Sequence, residues 1–161
     1  TLALGDALAV ALMKHRQFTP EHFRQFHPGG KLGARLAKVG DLMHSGAALP
    51  VIDQSMPMSE ALLVISQKGF GVVGVTDADH HLIGIVTDGD LRRHMEGLLE
   101  KTAAEVMTRN PRTIGPAALA ETAVALMNDK NITSLFVVDP AGSRVAVGIL
   151  HIHDCLRAGV V

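Results

Sequence analysis

The chain has 161 residues, 47% of them apolar and 19% charged, with a formal net charge of -1 and a single cysteine, Cys155. A unit of this size buries roughly 70% of its unfolded surface, so a core forms without disulfides, and one cysteine allows no internal pair. No apolar run approaches the about 18 residues of a membrane span, and 3% aromatics without Trp or Tyr leave no basic stripe or stacking platform for nucleic acid.

In chain order, Thr1 to Met13 is almost continuously apolar (Leu2, Leu4, Leu8, Val10, Leu12) and predicts a helix that wants burial on most sides. A chain starting inside such a helix is expected to be cut from a longer one. Thr19-Pro20-Glu21 supplies an N-cap with proline at the first helical position, and His27-Pro28-Gly29-Gly30 ends that short helix. Lys31 to Gly40 reads as a linker. A strand at Leu49 to Ile52 follows, then a helix over Ser59 to Lys68 with Ala61, Leu62 and Ile65 on one face and Gly69 as its stop. Val72 to Val75 and Leu82 to Val86 have strand composition and are joined by a tight turn that holds His80 and His81, expected to be solvated.

The same order then recurs. Asp41-Leu42-Met43 returns as Glu105-Val106-Met107 and Gly84-Ile85 as Gly148-Ile149, both 64 positions on, while Lys68 and Lys130, like Asp77 and Asp139, are 62 apart. The turn after Asp77 is therefore two residues shorter than the one after Asp139. In the second copy a strand at Arg112 to Ile114 precedes a helix with Ala123, Leu126 and Met127 on its face, and strands at Leu135 to Asp139 and Val145 to Leu150. Two β-α-β-β-α units, each too small to bury its own faces, are expected to pack as one α/β (α+β) module about a pseudo-twofold axis, with two clefts between them.

Both copies resemble cystathionine-β-synthase (CBS) domains: Asp41-Leu42-Met43 and Glu105-Val106-Met107 match the opening motif, and Gly84-Ile85-Val86-Thr87-Asp88-Gly89-Asp90 matches the ligand motif G-h-x-T-x-x-D. Thr1-Leu2-Ala3-Leu4-Gly5-Asp6-Ala7-Leu8-Ala9, His27-Pro28-Gly29-Gly30-Lys31-Leu32-Gly33 and the closing His151-Ile152-His153-Asp154 are similar to the corresponding stretches of arabinose 5-phosphate isomerases, which join a sugar isomerase (SIS) domain to a CBS pair. The resemblance implies residues 1–36 as the end of an SIS domain with its linker, 39–98 as the first CBS domain and 103–160 as the second. It further implies a parent enzyme of the bacterial cytoplasm that converts D-ribulose 5-phosphate to D-arabinose 5-phosphate toward Kdo and lipopolysaccharide, with His27 as an acid/base candidate. The phosphate loop of the SIS domain has no match here, so no isomerase activity is expected of this chain alone. At least a homodimer is expected, within a tetrameric parent.

Thr87-Asp88-Gly89-Asp90 falls where a strand hands over to a helix, so Thr87 reads as N-cap and Asp90 as the third helical residue of a capping box. Local capping alone accounts for both side chains. Inside a CBS repeat the same geometry suits a nucleotide, with the helix start and the Thr87 hydroxyl on phosphate and Asp90 on ribose. In the second copy His151 replaces Thr87, Ile152 replaces Asp88 and Asp154 matches Asp90, so the two clefts are not expected to be equivalent. His151 and His153 would share one face on a strand, but no ligand beyond Asp154 completes a metal site, and none is expected. Arg92, Arg93 and Arg112 are ordinarily solvated, though each could hold a phosphate or carboxylate. Cys155 aligns with Leu91 and reads as a small core residue.

The resemblance adds Val51, Gly71, Val72, Thr113, Thr133 and Ser134 to the ligand-binding candidates. No cofactor is required. The ligand implied by fold alone is AMP or ATP, and the one suggested by the pathway is the nucleotide sugar CMP-Kdo. A purely structural, oligomerising module is the alternative.

Overall fold

The computed structural model describes residues 2–19, 22, 36–139 and 141–160. Helix α1 (Leu2–His15) is the apolar run read from the sequence, and Leu2, Leu4, Leu8, Val10, Leu12 and Met13 are all exposed on it. At Thr19 a reciprocal cap begins, the hydroxyl accepting the His22 N–H at 3.4 Å while His22 Nδ1 accepts the Thr19 N–H at 3.3 Å. His27 and the rest of that proposed helix lie outside the described residues.

The repeated part is built from α2 (Val39–Leu42), β1 (Val51–Asp53), α3 (Met58–Lys68), β2 (Val72–Thr76), β3 (Leu82–Thr87) and α4 (Asp88–Arg93), and then α5 (Ala103–Val106), β4 (Thr108–Arg109), β5 (Thr113–Ile114), α6 (Ala120–Lys130), β6 (Ser134–Val138), β7 (Ala146–His151) and α7 (Ile152–Arg157). In each copy the first strand pairs parallel with the second, which pairs antiparallel with the third. The helix faces point inward as their spacing requires: Ala61 and Ile65 of α3, and Ala123 and Met127 of α6, are buried. Gly69 at φ 72° and Asn131 at φ 52° end these helices in the left-handed conformation that glycine and asparagine tolerate best.

Two details depart from the expected pattern. Val39, placed in the linker by its sequence, is fully buried, and its N–H donates to Ala118 O at 2.9 Å, so the fold begins inside that linker. The first sheet has four strands rather than three, in the order β1-β2-β3-β4, because Thr108 and Arg109 cross from the second copy to pair with Ile85 and Gly84.

That crossing has a mirror image. His44, 64 positions before Thr108, bridges to Ile149, and Lys38 bridges to Leu119 as Thr102 does to Pro57. His81 bridges to Val145, 64 positions later, and so lies on the pseudo-twofold axis. Each copy therefore lends its opening segment to the other. This explains the two repeated motifs: Met107 fills the space that a side chain at Gly84 would need, its Cγ 2.8 Å from where a Cβ would sit, and Met43 does the same at Gly148, at 3.0 Å. Near the axis Gly74 and Phe136, equivalent positions 62 apart, pack on each other, with the ring 2.9 Å from a would-be Gly74 Cβ. Phe136 joins Val72, Leu82 and Ile149 in a cluster shared by the two sheets.

Candidate functional site

The capping box read from the sequence forms at Thr87, and the structure adds a second one at His151. At the first, Asp90 Oδ2 accepts from the Thr87 N–H (2.9 Å) and hydroxyl (2.6 Å), while Oδ1 accepts from Thr108 Oγ1 (2.6 Å) and Arg93 Nη2 (2.5 Å). Asp90 is 1% exposed. Burial pushes its carboxyl upward, but the hydrogen bonds from Thr108 and Thr87 and the Arg93 charge outweigh it and hold the group below the usual carboxylate range. Four donors on two oxygens leave this aspartate closed.

The second corner is built differently. His151 caps α7, its Nδ1 accepting the His153 N–H at 3.2 Å, which leaves the ring proton on Nε2. Asp154 Oδ2 accepts the His151 N–H at 3.2 Å and meets His44 Nε2 at 3.1 Å, and Oδ1 accepts from Arg157 Nη2 at 2.5 Å. Burial pushes Asp154 up, and its hydrogen bonds from His44, Arg157 and His151 carry it below the ordinary range. The His151 imidazole is held below its usual value, by burial first and then by His153, so it is neutral at pH 7. The His151 and His153 rings stand 4.9 Å apart despite the strand-to-helix junction.

A cleft of about 490 Å³ opens here, lined by His44, Gly69, Phe70, His151, His153, Asp154, Leu156 and Arg157. Phe70 meets His44 edge-on at 5.2 Å, and the Arg157 side chain is 75% exposed. Across the strand from His151 lies Ser134, whose buried Oγ has no hydrogen-bond partner among the described residues.

The other sequence candidates are dispersed. Val72, the first-copy counterpart of Ser134, is buried between the sheets opposite Thr87. Gly71 has φ 66°, and a Cβ there would come 3.8 Å from Asp88 Oδ2. Val51 starts β1, Thr113 starts β5, and the Thr133 carbonyl accepts the Ile152 N–H at 2.9 Å. Arg92, Arg93 and Arg112 are exposed, and Arg93 pairs with Asp90 as Arg157 pairs with Asp154. Cys155 is fully buried, and burial followed by the Asp154 charge pushes its thiol up.

His44, Phe70, Thr108 and Arg157 were missed by sequence reasoning. A signal existed for three of them: His44 and Thr108 each follow an opening motif, and Arg157 stands three after Asp154 as Arg93 does after Asp90. Among the described residues Asp77, Asp79 and His81 could place ligand atoms within 4.8 Å of one another. Turn hydrogen bonds to Asp77 already account for that cluster.

The CBS domain model matches residues 39–97 and 103–160, the two halves just described. The chain belongs to the CBS domain family. Solved CBS pairs have the same fold: that of protein MJ0100, in complex with 5'-methylthioadenosine and S-adenosyl-L-methionine, aligns with a TM-score of 0.67 at 24% identity over 76% of this chain and 94% of its own. CBSX2 in complex with AMP aligns at 0.65 and 28% identity, over 76% of this chain and 96% of its own. Among curated proteins, the arabinose 5-phosphate isomerases KdsD of Yersinia pestis and Salmonella typhimurium are 44% and 46% identical over 165 residues, covering 100% of this CBS chain. An uncharacterized protein of Rickettsia prowazekii, RP505, is 41% identical over 160 residues, 99% of this chain. The chain spans about half (49%) of the length of each. Among the described residues no helix is long and apolar enough to cross a membrane.

Proposed function

We propose that this CBS pair is the regulatory part of an arabinose 5-phosphate isomerase and that it senses a nucleotide or nucleotide sugar in the cleft at His151. The difference between the two corners carries this reading. Asp90 is saturated and buried, whereas Asp154 faces a cleft with an aromatic wall at Phe70 and an exposed guanidinium at Arg157, and behind its His151 wall the strand partner Ser134 holds an orphaned hydroxyl. A ribose would displace His44 from Asp154, a base would lie against Phe70, and Arg157 with His153 would hold an anionic group. Thr87, the phosphate donor of the ligand motif, remains the weaker candidate because its hydroxyl already serves Asp90.

The 44–46% identity to KdsD proteins and the similar lead segment support ribulose 5-phosphate to arabinose 5-phosphate as the whole protein's reaction, and that reaction makes CMP-Kdo, the activated end product of the route, the preferred ligand. The SIS domain is then the natural cover for the apolar face of α1, and the pair is expected to assemble at least as a homodimer.

Thermal shift or calorimetry with CMP-Kdo, CMP, AMP and ATP side by side tests the ligand. Stabilisation by CMP-Kdo supports feedback, binding of adenine nucleotides alone replaces it with an energy sensor, and no binding by any of the four returns the module to a structural role.

A further inference from the structure

A groove of about 510 Å³ lies where the two hairpins meet, apart from both β-to-α corners. It crosses the pseudo-twofold axis at the His81–Val145 bridge. Asp77, His81, Leu82 and Ile83 of the first copy form one wall, and Arg109, Asn110 and the hairpin residues Gly142, Ser143 and Arg144 of the second form the other. Arg109 and Arg144 are exposed, and among the described residues neither has a carboxylate partner. Asp77, the acid of the groove, is committed to its own turn: Oδ1 accepts the N–H groups of Asp79 (3.0 Å) and His81 (2.9 Å), and Oδ2 faces His81 Nδ1 at 3.3 Å.

The pseudo-symmetry separates what the fold demands here from what it does not. The positions 64 before Asn110 and Arg144 are Gly46 and His80. The backbone angles repeat, with φ of 51° and 59° at the first pair and 57° and 63° at the second. The side chains do not repeat, since Arg144 answers to His80, and Arg109 to Ser45. The fold therefore needs left-handed backbone at these places but no arginine. An arginine at positive φ is moreover an uncommon choice where glycine or asparagine costs less. The second hairpin is also two residues longer, and Gly142 and Ser143 of that longer turn supply part of the wall. Both arginines and the lengthened turn fall on one side of the axis and make a cationic recess there.

We propose that this groove is a second binding site, separate from the cleft at His151, for a phosphorylated small molecule whose phosphate is held by Arg109 and Arg144. Two guanidinium forks supply planar paired donors that match phosphate oxygens. The Ser143 Oγ accepts the Val145 N–H at 3.4 Å, which leaves its own hydroxyl proton free to donate, and the Asn110 amide adds a neutral donor. The volume accommodates a sugar phosphate or the diphosphate of a larger ligand.

The test is isothermal calorimetry of the 161-residue chain with inorganic phosphate, pyrophosphate and ribose 5-phosphate. Three variants are compared with wild type: R109S/R144H, which installs the residues the fold already carries at the equivalent positions, R109K/R144K, and R157A in the other cleft. The expected result is saturable binding of at least one probe by wild type and R157A, weakened about tenfold or more in R109S/R144H, the size of a lost charge-assisted hydrogen bond, and partly retained in R109K/R144K. A folded R109S/R144H that binds as tightly as wild type, no binding of any probe to wild type, or loss of binding in R157A instead would each overturn the proposal. Ribose 5-phosphate can also enter the cleft at His151, so binding that R157A removes is assigned to that cleft and binding that R109S/R144H removes is assigned to the groove.

Discussion

His44 and Thr108 occupy equivalent places on the two sides of the pseudo-twofold axis, each reaching from one copy to the helix-start aspartate of the other. Thr108 Oγ1 lies 2.6 Å from Asp90, and His44 Nε2 lies 3.1 Å from Asp154. One contact is the hydroxyl of an exposed threonine donating to a carboxylate that is itself buried, with Asp90 1% exposed. The other is a ring with a 40% exposed side chain at the edge of an open cleft. The exchange of opening segments thus produces two corners of equal topology and unequal access.

Thr108→Ala is predicted to destabilise the protein by about 1.5–3 kcal/mol, because Asp90 keeps its burial and loses a donor to its charge. For a unit of this size that lowers Tm by roughly 3 to 12 °C. His44→Ala is predicted to cost less than about 1 kcal/mol, since the contact it removes is partly solvated. Equal losses in calorimetric melting of the two variants would contradict the inequality of the corners.

A second expectation concerns the glycine–methionine contacts. Gly84→Ala and Gly148→Ala should each destabilise by about 1–3 kcal/mol through overpacking against Met107 and Met43. Adding Met107→Ala to the first, or Met43→Ala to the second, should cost less than the two single losses summed. Urea denaturation of both double-mutant cycles measures the coupling, and strict additivity would show that the residues do not meet across the copies.

The repeats, the helix faces and the capping box at Thr87 were legible in the sequence because each rests on spacing along the chain: Gly84 to Gly148, Ala61 to Ile65, Thr87 to Asp90, whereas the cap that His151 supplies was not. Nor was the exchange of opening segments. Thr108 and Arg109 form a two-residue strand, too short to carry a period, and its partner is chosen by packing of Met107 against Gly84. His44 and Asp154 are 110 positions apart, and Phe70 reads locally as the residue after a helix stop, so nothing along the chain joins them into one cleft. The apolar helix at the start was legible from composition alone, while what covers it was not.

Stability should fall in two separate pH windows. The folded-state values of His151, Asp90 and Asp154 all lie below their ordinary ones, so in each case the unfolded chain binds more protons and stability decreases as pH falls. For His151 the stability is complete above about pH 6.5 and is lost as pH drops through its lowered folded value. For the aspartates it is complete above about pH 3.9 and is lost in stronger acid. Urea unfolding of wild type and His151→Gln between pH 7.5 and 5 isolates the upper window. The stability difference between the two should change with pH, moving in favour of the variant as pH falls, and a pH-independent difference would refute a half-buried imidazole held neutral.

The cleft at His151 gives the last prediction. A ligand at a hundredfold its dissociation constant adds about 2.7 kcal/mol, a rise in Tm of roughly 5 to 10 °C for this protein. If the base rests against Phe70, Phe70→Ala should weaken binding by about 1–3 kcal/mol, the range of a lost base–aromatic stack. Asp154→Asn should weaken it as well, because the amide accepts at only one of the two positions a carboxylate offers to ribose hydroxyls. Asp90→Asn should instead lower the melting temperature of the free protein, since it disrupts a buried carboxylate with four donors, while leaving the ligand-induced shift in place. Melting curves of the three variants with and without CMP-Kdo separate the clefts: a shift abolished by Asp90→Asn but preserved in Phe70→Ala and Asp154→Asn would move the ligand to the corner at Thr87.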